Sequence, residues 1–223
     1  MKRMAALALG LAIACGTTSV DAHQTLVAAG AAVGRLTSVT GELDFSAGAV
    51  SFQGYALTKA TTKIHLPGQS DTTYYVRSGD ASFSIEALIT GGTTYLALPF
   101  LGFSKLSAGQ ASDIPDLSQL FDKHHGLPAV IPAGTKQTYV TDESEGGVQA
   151  HKVTTVFTKA QVAALLPQLS SSGDVNVTVW SGVNDNLVRK ALLDGPFGTN
   201  GTHATVTVTL SGFDSPVSIS PPS

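Results

Sequence analysis

A single cysteine in 223 residues leaves the chain without a disulfide framework of its own. Charged residues supply only 13% of the sequence, with a net charge of −3. That balance gives no basic footprint for DNA or RNA. It also means that apolar faces and backbone ladders hold the fold, in place of salt-bridge networks. Beyond the N-terminal leader no run reaches the roughly 18 apolar residues that a membrane helix needs. Nucleophile signatures are missing too, with no Gly-x-Ser-x-Gly elbow and no Ser-x-x-Lys, which weakens a hydrolase reading.

The leader shows what is there instead. Lys2 and Arg3 form a basic n-region, Met4 to Ala14 an apolar stretch too short to span a bilayer, and small Ala14 precedes Cys15. The pattern predicts a bacterial export signal with a lipobox over residues 1–14, a short tether over 15–22 and a single domain over 23–220. Cys15 then becomes the first mature residue and carries a diacylglyceryl group and an N-acyl chain such as palmitate. At about 0.8 kcal/mol per buried methylene, two or more chains predict stable anchoring where one is marginal. The expected location is the outer face of the cytoplasmic membrane, in the cell envelope. An ordinary secretion signal with an incidental cysteine is the alternative, and Ala12, where Leu is usual, is the residue that favours it.

Periodicity predicts one helix from Ala22 to about Leu36, with Leu26, Ala29, Gly30 and Val33 on one face. Alternation then takes over: Val39, Gly41, Leu43 and Phe45 face one way, and Thr40, Glu42, Asp44 and Ser46 the other. Further strands are expected at Tyr55 to Leu66, Thr72 to Arg77, Ala81 to Thr90 and Thr93 to Leu98, joined by tight turns at Ser78-Gly79-Asp80 and Gly91-Gly92. Phe83, Ile85, Ala87 and Ile89 form one apolar row of this meander. The proline-punctuated middle, Pro99 to Pro132, predicts short helices and loop crossing an open side of the sheet, with Ile114 to His125 the helix-compatible segment. Strands resume at Gln137 to Thr141 and Val148 to Phe157, and Thr158 caps a helix from Lys159 to Leu166. Three strands over Val175 to Trp180, Leu187 to Leu193 and Ala204 to Leu210 follow, then a short one at Val217 to Ile219. The fold class is α+β: a highly curved antiparallel half-barrel sheet of about ten strands wrapped around helices.

Candidate metal chemistry is weak. His124 and His125 point about 100° apart on a helix, and no carboxylate shares their face at the required spacing. His65, His151 and His203 fall in separate strands, with His151 in phase with apolar Val153. Trp180, ending an apolar strand, reads as core. Small Gly41, Ala87 and Ala150 mixed with bulky Phe45 and Phe83 leave close packing of the interior unassured, and an apolar cavity there would hold acyl chains.

The layout resembles the actinobacterial envelope lipoproteins of the LppX/LprA/LprF/LprG family. The likeness is carried by Ser38 to Phe45, the turns at Ser78-Gly-Asp80 and Gly91-Gly-Thr-Thr-Tyr-Leu-Ala-Leu98, and Asp113-Ile-Pro-Asp-Leu-Ser-Gln-Leu120. Val153 to Leu165, Val177-Thr-Val-Trp180, Leu187 to Asp194 and Leu210-Ser-Gly-Phe-Asp-Ser-Pro-Val217 complete it. The resemblance implies a half-barrel with a hydrophobic cavity that binds multi-acylated lipids or glycolipids and helps move them across the envelope. It implies no enzyme activity and no cofactor beyond the bound lipid, a membrane held through the anchor, an inner-membrane transporter as a partner, and a monomer. The expected cavity lining is Val39, Gly41, Leu43, Phe45, Tyr74, Val76, Phe83, Ile85, Ala87, Ile89 and Val153. Phe213 stands where relatives usually show Trp, and Tyr74 where a smaller aliphatic occurs, so the lipid class does not transfer. The competing reading is an envelope interaction or scaffold lipoprotein with a solid core.

Overall fold

A computed structural model describes residues 19–46, 50–165, 171–197 and 201–222. The expected export signal, lipobox and Cys15 lie outside the described residues, as do Leu166 and Pro167. The first helix, α1 (Ala22–Val33), starts where the Asp21 carboxylate accepts from the Gln24 backbone N–H at 3.0 Å. It buries Leu26, Ala29, Gly30 and Val33 and presents no charged side chain. Gly34 ends it, earlier than the expected Leu36.

Strands β1 (Ser38–Phe45), β2 (Val50–Phe52), β3 (Tyr55–His65), β4 (Gln69–Ser78), β5 (Ala81–Thr90), β6 (Thr93–Ala97) and β7 (Phe103–Lys105) build the first half. After three short helical pieces come β8 (Thr135–Glu145), β9 (Val148–Phe157), β10 (Val175–Gly182), β11 (Val188–Gly195) and β12 (Ala204–Ser211). All pair antiparallel in one sheet of order β7-β6-β5-β4-β3-β1-β12-β11-β10-β9-β8, with β2 on β3. The N-terminal strand therefore meets the C-terminal strand in the middle, with Thr40 opposite Ser211 and Phe45 opposite Val206. β7 and β8 remain separate edges, so the sheet curls without closing.

The joint at the middle is locked by side chains as well as by the ladder. Asp214 accepts from the Thr37 backbone N–H at 2.7 Å and its hydroxyl at 2.8 Å, and Ser38 donates to the Ser215 carbonyl at 2.6 Å. Those hydrogen bonds hold the Asp214 carboxyl below its ordinary pKa, led by the Thr37 N–H.

The proline-punctuated middle resolves into α2 (Ala108–Ala111), a 3-10 turn over Leu117–Phe121 and α3 (Leu127–Ala133). The expected helix over Ile114 to His125 is thus a 3-10 turn, and α3 begins where Pro128 supplies a favourable early position. A fourth helix, α4 (Lys159–Leu165), follows β9. α1 and α3 cross at close range: a Cβ on Gly30 would stand 2.7 Å from the Pro128 carbonyl oxygen. β2 and β7, three residues each, escape a reading by periodicity, and no strand forms at Val217 to Ile219. There the chain lies against the sheet without a ladder, Ile219 being buried and its carbonyl accepting from the Thr90 hydroxyl at 3.4 Å.

Candidate functional site

The concave face of the sheet holds two apolar lobes that share Leu43. One lies under β9 to β12 and is roofed by the helices. Val177 and Val179 of β10, Val188, Ala191 and Leu193 of β11, and Val206, Val208 and Leu210 of β12 form its floor. Leu120, Leu127, Ile131, Val162 and Leu165 come down from the 3-10 turn, α3 and α4, and Phe157 closes one side. Every lining side chain is apolar, and the free volume is about 80 Å³. Alternation makes this surface: each strand turns every second, branched residue inward, and the β-bulge between Trp180 and Ser181 keeps both Val188 and Ala191 on the inner face.

The second lobe sits under β1 to β4 and holds about 40 Å³ between Leu43, Phe45, Val50, Phe52, Leu57, Ala60 and Tyr74. Tyr74 walls it, stacked on Phe52 at 4.2 Å and 17°. Its hydroxyl donates to the Pro115 carbonyl at 3.3 Å. Burial, with the nearby Asp116 charge, pushes the phenol well above its ordinary pKa, so Tyr74 stays a neutral donor.

Of the expected lining residues, Leu43, Phe45 and Tyr74 border the lobes. Val39 and Val153 pack in the cluster that includes α1, and Val76, Ile85 and Ala87 in the cluster around Tyr74. Gly41 is crowded, since a Cβ there would lie 3.1 Å from Thr62 Cγ2. Phe83 is half-buried, edge-on to Tyr55 at 5.0 Å, and Ile89 borders a shallow groove near the Gly91-Gly92 turn. Alternation names the face a residue takes, whereas the helices decide which part of that face stays unfilled. The larger lobe was missed because its floor comes from the second meander, whose inward valines carry the same alternating pattern as any core strand.

The polar groups form surface pairs. His151 Nδ1 lies 2.5 Å from Asp142 Oδ1 and lowers that carboxyl's pKa, and His203 pairs with Asp194 at 3.0 Å. Trp180 lies on the face of β10 opposite Val177 and Val179, donates its indole N–H to Glu143, and lies between the Lys152 and Lys190 ammonium groups, 5.1 and 5.0 Å from its ring. Among the described residues no group of His, Cys, Asp and Glu is placed to hold a metal. No helix among them is long and apolar enough to cross a membrane.

An unclosed antiparallel sheet curled over short helices, with an apolar interior, defines a half-barrel protein. The chain belongs to the LppX_LprAFG lipoprotein family, whose profile matches residues 19–219. It is similar in structure to LprF from Mycobacterium bovis, with a TM-score of 0.73 at 20% identity over 90% of this chain and 96% of that one. It is also similar to the lipoprotein LppX of Mycobacterium tuberculosis, with a TM-score of 0.63 at 17% identity, covering 89% and 98%. No curated protein sequence matches it.

Proposed function

We propose that the chain is a lipid-anchored carrier that takes the acyl chains of multi-acylated lipids or glycolipids into the space under its sheet and helps move them across the cell envelope. In this reading Cys15 bears the acyl anchor, the protein acts as a monomer without catalysis, and an inner-membrane transporter supplies or receives cargo. The observation that carries it is the larger lobe, walled only by apolar side chains and roofed by two seven-residue helices.

Its size matters to the mechanism. At about 80 Å³ the lobe lies far below the roughly 300–1,000 Å³ of ordinary ligand sites, so in this reading it must widen to take an acyl chain. Loading requires the roof to lift. α4 is the cheapest part to move, because Val162 is its only fully buried side chain, and exposing one such residue costs about 1.5–3 kcal/mol. Acyl chains entering the lobe replace the contacts that α4 gives up.

Native mass spectrometry of protein produced in a lipid-containing host tests the reading. High-mass lipid adducts, and saturable uptake of a fluorescent acyl probe, are the expected result. A bare polypeptide mass in repeated preparations, together with no saturable uptake, would instead make the protein a scaffold with a solid core.

A further inference from the structure

The turn between β6 and β7 carries an apolar tip that the interior does not explain. Phe100 is fully exposed at 107%, Leu101 at 65% and Leu98 at 43%. The turn is closed by the Leu101 N–H donating to the Leu98 carbonyl at 3.0 Å. Phe100 sits there at a φ of 64°, a conformation that is costly for a bulky side chain. Neither buried area nor a partner group among the described residues compensates that cost. The surrounding sequence is unusual as well. Between Glu86 and Asp113 the only charged residue is Lys105, and no acidic one occurs.

The position of this turn names its counterpart. α1 begins beside the first residues of β8, where His23 Nδ1 lies 2.9 Å from Gln137 Oε1. By register, that is the end of the sheet where β5 starts and β9 finishes, and β6 runs toward it as it feeds the turn. Five residues separate Cys15 from the cap residue Asp21, six chain steps that reach at most about 21 Å when extended. Resting on the reading that Cys15 is acylated, this end of the sheet is held against the bilayer.

We infer that the Leu98–Phe100–Leu101 turn is a membrane-contact element that dips into the lipid surface at the end of the sheet from which the anchor extends, with Lys105 facing phospholipid phosphates. A bilayer fits better than a protein partner, because a convex tip of three apolar side chains offers no groove for complementary packing. Acyl chains are also the cargo that the turn would bring the sheet toward. Aromatic and leucine side chains buried a few ångströms into the headgroup boundary bind in this way.

The test uses the mature acylated chain, in which the Cys15 thiol is blocked, with Phe100→Cys carrying an environment-sensitive dye. Vesicles are of neutral phospholipid with and without an anionic component, and attachment is read separately by co-flotation. Expected is a blue-shifted emission that a lipid-borne quencher removes, while the same dye on His125→Cys, beyond the opposite end of the sheet, stays unquenched. Protein that floats with the vesicles while the dye at position 100 remains in water overturns the inference. Quenching in native envelope vesicles but not in protein-free ones assigns the turn to a protein and overturns it too. A chain that fails to float sinks the acyl-anchor reading. The dye is then read on the chain tethered through an N-terminal His tag to nickel-chelating lipid, where quenching supports the turn's role and its absence overturns it.

Discussion

The two lobes under the sheet are built by opposite means. Under β1 to β4 an aromatic pair narrows the space, with Tyr74 stacked on Phe52 and tied through its hydroxyl to Pro115. Under β9 to β12 the lining is branched aliphatic side chains, and the roof is two short helices. A ring pair with a buried hydrogen bond has one good geometry, whereas leucines and valines under a thin roof repack at low cost. The first lobe is thus a plug that specifies the fold, and the second is the part of the interior that can dilate.

Removing the plug tests this division most severely. Tyr74→Ala takes away a ring that is 2% exposed, and large aromatic truncations in cores cost about 3–5 kcal/mol. Denaturant unfolding should show a loss of that size, while uptake of an acyl probe at saturating protein persists. Loss of uptake without loss of stability would place the ligand in the aromatic lobe and reverse the comparison.

Filling the second lobe should do the converse. Ala191→Trp introduces a large ring on the floor beneath α3 and α4, at an overpacking cost of about 1–3 kcal/mol. Uptake should be abolished with secondary structure intact. Gly41 and Ala87 are poorer places for this substitution, because Thr62 and Leu210 crowd the first and the Tyr74 cluster encloses the second. An Ala191→Trp protein that binds acyl probe as well as wild type would show that the lobe is not the site.

Tyr74→Phe is subtler, since it keeps the ring and deletes only the hydrogen bond to Pro115. A loss of about 1 kcal/mol is expected, read as a lowered midpoint at unchanged denaturant slope. No change at all would mean that shape alone holds the plug.

Much of this was legible in the sequence. Alternation placed β1 and β5 within a residue of their observed bounds, and the glycine turns at Gly79 and Gly91-Gly92 marked two hairpins, because both signals are local. β2 and β7 were not legible, since three residues carry too little periodicity, and short helices were legible in the middle segment without the place of α3, which is set by the crossing at Gly30. The lobes were hardest to see. Inward residues such as Val76 and Val179 have the same pattern, yet one sits in solid core and the other lines a void, and only the placement of the helices separates them.

Acid sharpens the comparison last and least. Asp142, held low chiefly by His151, and Glu143, held low chiefly by the Trp180 indole, both lie on β8. Asp214, held low by Thr37, lies just after β12. In the first meander the ion pair Lys59–Glu42, at 2.8 Å, is the counterpart, and its resolved effect is on the lysine, whose pKa is raised mainly by the Glu42 hydrogen bond. A carboxyl whose folded pKa is depressed adds stability that is complete above its unfolded value, near 3.9–4.3, and is lost as pH falls through the folded one. The raised lysine works the other way, contributing below its unfolded value near 10.4 and losing that contribution only at still higher pH. Lowering the pH from 6 to 3 should therefore loosen β8 and the Asp214 joint before β3 to β5, by a small amount because these groups are exposed and screened. Hydrogen exchange resolved by segment across that range measures it. Equal loss of protection in both meanders would mean that the two halves of the sheet open as one unit, and that the roof over the aliphatic lobe cannot lift independently of the plug.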